Sequence, residues 1–127
     1  MSGLPPEFRK IHLELAREPG HPEGSPRIGY DLVTPLDQES RLSDELWRKH
    51  RDECRVRRFT ERQDDARGRL ARKPGGSWFF DFDPARESDD QQGFRLGEER
   101  FVPGEYVSIG DEHGAMRTYK VVSVQPI

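Results

Sequence analysis

Period-two alternation, interrupted by turn residues, is the feature that most limits what this chain can become. Its clearest instance closes the sequence: Pro103-Gly104-Glu105-Tyr106-Val107-Ser108-Ile109, a polar segment ending at Gly114, then Ala115 to Val124. Two β-rich runs joined by a short polar connection predict a hairpin, and Pro103-Gly104 supplies the turn that starts it. The same alternation recurs upstream. Ile11, Leu13 and Leu15 alternate with Lys10, His12 and Glu14, and Ile28, Tyr30 and Leu32 alternate with Gly29, Asp31 and Val33. Successive side chains of a strand point to opposite faces, so each run predicts a strand, the first half-buried and the second paired with it.

Gly68 to Lys73, Pro74-Gly75-Gly76 and Ser77 to Asp83 read as a further hairpin, with Trp78, Phe80 and Phe82 on one face. This is the densest apolar cluster in the sequence and the expected centre of the core. Pro84 to Gln92 reads as an acidic loop, followed by short strand pieces at Phe94 to Leu96 and Arg100 to Phe101. One helix, about 43–56, is predicted to start at Ser43, whose hydroxyl can accept a first-turn N–H, with Asp44 and Glu45 where the helix dipole favours anions. Because each strand follows its predecessor after a short turn, the expected fold is mainly β with this one helix, in the α+β sense. Its form is a small bent antiparallel sheet or β-barrel of six to eight strands. Residues 8–127 form a single domain in this reading. Residues 1–7 read as a disordered tail, since Gly3, Pro5 and Pro6 continue neither helix nor strand.

Composition narrows the function classes. Hydrophobic residues make up 31% of 127 and charged residues 35%, which predicts a thin core helped by a homodimer interface. A net charge of −3 exerts no global pull on nucleic acid or an anionic membrane, and no stretch approaches the roughly 18 apolar residues of a membrane span. Cys54 is the only cysteine, which excludes an internal disulfide and a cysteine-rich zinc ribbon and fits a reducing cytoplasm. The charge is unevenly spread: Arg41 to Arg62 holds eight Lys/Arg against five Asp/Glu, whereas Asp81 to Glu99 holds seven acids against two bases.

The candidates for chemistry follow from that distribution. On the expected helix Arg51, Arg55 and Arg58 share a stripe that could hold a phosphate or other anion, while Arg48 with Asp52 and Lys49 with Glu53 form i,i+4 ion pairs. His50 and Cys54 have the i,i+4 spacing of metal ligands, but they share a face with Leu46 and Trp47, which reads as packing. Asp81 with Asp83, then Asp89-Asp90, read as the solvent side of a strand and its loop, and His113 as part of a hairpin tip. No nucleophile elbow, phosphate-binding glycine loop or zinc-protease motif is present, and the residues imply no metal and no cofactor.

Over nearly its whole length, notably Gly20-His21-Pro22-Glu23-Gly24, Trp47-Arg48-Lys49-His50-Arg51, Pro74-Gly75-Gly76 and Phe101 to Ile109, the chain resembles small alphaproteobacterial proteins of unknown function. That resemblance implies a bacterial cytoplasmic protein. Locally, Pro103 to Ile109 followed by Arg117-Thr118-Tyr119-Lys120 is similar to the flavin-binding barrel of the ferredoxin reductase family. The likeness implies Arg117 at a flavin phosphate and Tyr119 on the isoalloxazine ring, although Lys120 stands where that family has a hydroxyl and Glu105 where it has Gln. The sequence therefore leads to a non-catalytic module binding a protein partner or a small anionic ligand, through Arg51, Arg55, Arg58, Arg117 and Tyr119. A flavin-binding or electron-transfer component is the alternative.

Overall fold

The computed structural model describes residues 4–61, 64–73, 77–82, 98–110 and 115–127, and the backbone of 91–92. The strands are β1 (Phe8–Leu15), β2 (Ser25–Pro35), β3 (Arg55–Phe59), β4 (Ala66–Arg72), β5 (Trp78–Asp81), β6 (Gln91–Gln92), β7 (Tyr106–Gly110) and β8 (Met116–Pro126). They form one antiparallel sheet in the order β6-β5-β4-β3-β2-β1-β8-β7. β1 to β6 is a meander, and the closing hairpin β7–β8 returns to lie on the free side of β1. The sheet curls until β6 and β7, its two edges, approach one another, giving a half-barrel.

Alternation explains which face is buried. Ile11, Leu13 and Leu15 of β1, Tyr30 and Leu32 of β2, Val56 of β3, Leu70 of β4, Trp78 and Phe80 of β5, Val107 and Ile109 of β7, and Tyr119 and Val121 of β8 line the concave side. Aromatic rings knit it together: Tyr30 lies 5.2 Å from Phe80 and meets Tyr119 edge-on at 5.1 Å. Phe80 is fully buried at this centre, as the sequence pattern predicts. Bends in the sheet come from register shifts in β1, at Glu14/Leu15 towards β2 and at His12/Leu13 towards β8. Gly29, beside the first shift, has no room for a side chain. A Cβ there would lie 1.9 Å from the Leu13 carbonyl oxygen and 2.8 Å from the Phe59 ring.

The helix is much shorter than the sequence pattern predicts. Ser43 caps it, its hydroxyl accepting the Leu46 N–H at 3.3 Å, but the α-helix (α1) runs only over Asp44–Lys49. A single 3-10 turn at Arg51–Glu53 follows, and then Arg55 opens β3. The reason is packing: Cys54 and Val56 are buried two residues apart, a strand period, and Val56 sits opposite Leu32 of β2. Trp47 fastens the turn region to the sheet through a hydrogen bond from its indole N–H to the Leu70 carbonyl, 2.9 Å, and an edge contact with Trp78. The i,i+4 ion pairs accordingly shift one turn earlier, to Asp44–Arg48 and Glu45–Lys49.

Residues before Phe8 also meet the sheet: Leu4 packs against the core and the Glu7 carbonyl accepts the Leu36 N–H. Arg100 and Phe101 are irregular rather than strand, with Phe101 buried and its N–H donated to the Ser40 carbonyl at 2.8 Å. The strand pieces expected at 94–96 lie outside the described residues. Replacing Phe80 by Ala is expected to cost about 3–5 kcal/mol, because the ring is fully enclosed. A thermal or denaturant melt checks this, and a near-unchanged midpoint contradicts the assigned core.

Candidate functional site

The convex face carries the polar chemistry, and strand register decides what meets there. β3 and β4 put Arg55 opposite Arg69 and Arg57 opposite Arg67. All four belong to the outward set of their strands, since Val56 and Leu70 on the alternating positions are buried. The result is a two-by-two square of arginines with sides of about 5 Å across the strands and about 6.7 Å along them. Like charges in such positions repel, at roughly 0.2–1 kcal/mol per directly opposed pair.

Two corners of the square are neutralised. Arg57 is gripped by the Asp31 carboxylate, with Nε 3.0 Å from Oδ2, and its Nη1 reaches Asp65 at 2.9 Å. Arg69 pairs with Asp52 at 3.1 Å. The other diagonal, Arg55 and Arg67, is exposed and has no carboxylate partner among the described residues. Both face a groove of about 430 Å³ lined by Lys10, Asp31, Val33, Arg55, Val56, Arg57, Arg67 and Gly68. Among the described residues four cations and one carboxylate line it. A slightly larger groove of about 490 Å³ near Tyr106 and Val122 is lined by Glu14, Glu23, Arg17 and Lys120, whose charges balance.

Asp31, the one acid in the basic groove, is occupied on both oxygens. Oδ2 belongs to Arg57, and Oδ1 lies 2.6 Å from His12 Nδ1. His12 Nε2 is in turn 2.9 Å from Glu14 Oε2. An imidazole with a carboxylate on each nitrogen satisfies both only as the imidazolium, which donates from both. Burial, the largest single influence, works against the charged ring. The hydrogen bonds and charges of Asp31 and Glu14 together outweigh it and raise His12 above its ordinary value. Burial likewise opposes the Asp31 carboxylate, but its bonds to His12 and Arg57 prevail and lower it. The His12 ring stacks on Phe59 at 5.5 Å, nearly parallel, and Phe59 lies where Gly29 leaves space. Arg57, over the same Phe59 ring at 5.2 Å, is raised chiefly by its bond to Asp31.

The five residues singled out in sequence do not form one surface. Arg51 lies in the 3-10 turn over the Trp47 ring, 4.9 Å from its centroid. Arg58 belongs to the inward set of β3 and sits over Phe82 at 5.1 Å, so the predicted stripe of Arg51, Arg55 and Arg58 is broken by the strand. Arg117 of β8 is clamped by Glu18, with Nη2 at 2.8 Å and Nε at 3.2 Å, and this bond is the main cause holding Glu18 below the usual carboxylate range. Tyr119 is buried against Tyr30, whose own hydroxyl is pushed up by burial. Only Arg55 reaches the basic groove. The meeting of Lys10, Arg57 and Arg67 depends on register, and the outward alternation of Arg55-Val56-Arg57 and Arg67-Gly68-Arg69 is its one signal in the sequence.

The remaining candidates are closed to chemistry or lie elsewhere. Cys54 is fully buried, its thiol donates to the His50 carbonyl at 3.3 Å, and burial pushes it up to about 12, far from a nucleophilic thiolate. Among the described residues no group of three His, Cys, Asp or Glu side chains could hold a metal ion. Asp83, Asp89, Asp90 and His113 lie outside the described residues. No described helix is long and apolar enough to cross a membrane. Comparison of the chain with protein-family models, with curated proteins and with solved structures finds no match.

Two outcomes follow for stability. His12 has a raised native value, so its stabilising share is complete below its ordinary value near 6.5 and is lost as pH climbs through the native one. Thermal midpoints are therefore expected to fall as pH rises above about 6.5, and His12→Gln to flatten that part of the curve. An identical slope in the variant contradicts the double clamp. Arg67→Thr, which removes one unpartnered corner with a good strand former, is expected to leave the melt unchanged or to stabilise by up to about 1 kcal/mol. A clear loss of stability contradicts the assignment of Arg67 as structurally uncompensated.

Proposed function

We propose that this chain is a non-catalytic binding module that receives a small anionic ligand in the outer-face groove over β1 to β4. The observation that carries this reading is the arginine square with Arg55 and Arg67 at opposite corners, without a carboxylate partner among the described residues, both turned to one groove that Lys10 also lines. A folded chain carries such repulsion at a cost, and an anion bound between the corners converts it into charge-assisted hydrogen bonds. Arginine suits the task because its planar fork meets two oxygens of an oxyanion at once.

Catalysis has little support in the same surroundings. A general base needs a free ring nitrogen, and both nitrogens of His12 are held by carboxylates. The buried Cys54 offers no thiolate. The flavin alternative rests on Arg117 and Tyr119, which are engaged with Glu18 and Tyr30 rather than presented to a ligand.

The test is thermal stability in sodium sulfate and in sodium citrate against sodium chloride of equal ionic strength. Ligands that bind only the folded state stabilise it by mass action, reaching about 2.7 kcal/mol at a hundredfold excess over Kd. The expected result is a saturating rise that the double variant Arg55→Ala/Arg67→Ala loses. Sulfate also stabilises proteins generally by exclusion from their surface. An equal rise in the double variant therefore contradicts the groove as a binding site.

A further inference from the structure

We infer that the ligand class of this groove is a phosphate monoester dianion, with the phosphate between Arg55 and Arg67 and the organic group over Val33, towards Lys10. This rests on the anion-binding reading above and goes further by counting charge. Two cations that meet diagonally across β3 and β4, Arg55 and Arg67, have no ion-pair partner among the described residues, and the lining carboxylate of Asp31 is consumed by His12 and Arg57. The vacancy is therefore for more than one negative charge at a single place. A monoester phosphate carries close to two above its second ionisation, near pH 6.

Geometry favours one phosphate over a chain of them. Arg55 and Arg67 are diagonal neighbours on adjacent strands, so their Cα atoms are about 7–8 Å apart and two guanidinium groups can meet on one tetrahedral anion. A polymer of phosphodiesters needs cations that continue along its path. Among the described residues the neighbouring arginines offer no such path: Arg69 is matched by Asp52 and lies opposite Asp81, Arg57 is matched by Asp31 and Asp65, and apolar Val33 separates Arg55 from Lys10. The apolar side of the ligand has a place too, because Val33 lies between Lys10 and Arg55 in the cross-strand row.

The experiment is calorimetric titration of the full chain with phenyl phosphate, phenyl sulfate and a single-stranded oligothymidine lacking terminal phosphates, at pH 5.5 and pH 7.5. Phenyl sulfate keeps one charge throughout and so reports any change in the protein itself. The expected result is that phenyl phosphate gains affinity relative to phenyl sulfate as pH rises, and that the oligonucleotide binds more weakly than phenyl phosphate. Arg55→Ala and Arg67→Ala should each weaken phenyl phosphate by about tenfold or more, the worth of a charge-assisted bond, while Arg69→Ala should leave it unchanged. Binding of both aryl anions with no phosphate preference overturns the monoester assignment and leaves the anion-binding module standing. Preferred binding of the oligonucleotide, weakening steeply with salt, overturns the single-phosphate geometry. Failure of all three probes overturns both readings.

Discussion

The register of β1 is the constraint on which the rest of the molecule depends. β1 is hydrogen-bonded to β2 on one side and to β8 on the other, so it joins the meander to the closing hairpin. A slip by one residue would turn Ile11, Leu13 and Leu15 outward and bury Lys10, His12 and Glu14, which a thin core could not absorb. The same register sets His12 opposite Asp31 and Lys10 opposite Val33. The core and the outer-face chemistry are thus two consequences of one alignment.

On the convex side, electrostatics is arranged by subtraction. Arginines opposed across β3 and β4 should repel, and the chain supplies carboxylates to some of them and not to others. Asp31 is the pivot. Held by His12 on one oxygen and Arg57 on the other, it cannot also neutralise Arg55 or Arg67. The residual positive charge is local, which is why a net charge of −3 for the whole chain coexists with a groove dominated by cations. What Asp31 fixes is position, holding Arg57 upright and leaving its two neighbours uncommitted.

The fold was legible because it is mostly local. Period-two runs at Ile11 to Leu15, Tyr30 to Leu32 and Trp78 to Phe80, with Pro-Gly and Gly-rich turns between later runs, lead directly to an antiparallel sheet. The far end of the helix is not legible in the same way. Ser43, Asp44 and Glu45 start it correctly, but Arg51 to Arg58 carries charges compatible with either period, and only the pairing of Val56 with Leu32 decides for a strand. The site was illegible for a related reason. Arg57 meets Asp31 and Arg67 through pairings between separate strands, which no single stretch of sequence contains. Arg117 and Tyr119 looked like a ligand pair because their partners, Glu18 and Tyr30, lie far off in sequence.

The most direct measurement is a crystal structure grown with sodium tungstate, a heavy tetrahedral dianion located by its anomalous signal. The central claim is that Arg55 and Arg67 converge on one anion while Asp31 stays with His12 and Arg57. The expected density is a single tungstate between Arg55 and Arg67, with the Asp31 clamp intact. Tungstate elsewhere with an empty groove, or Asp31 swung over to Arg55 or Arg67, would contradict it.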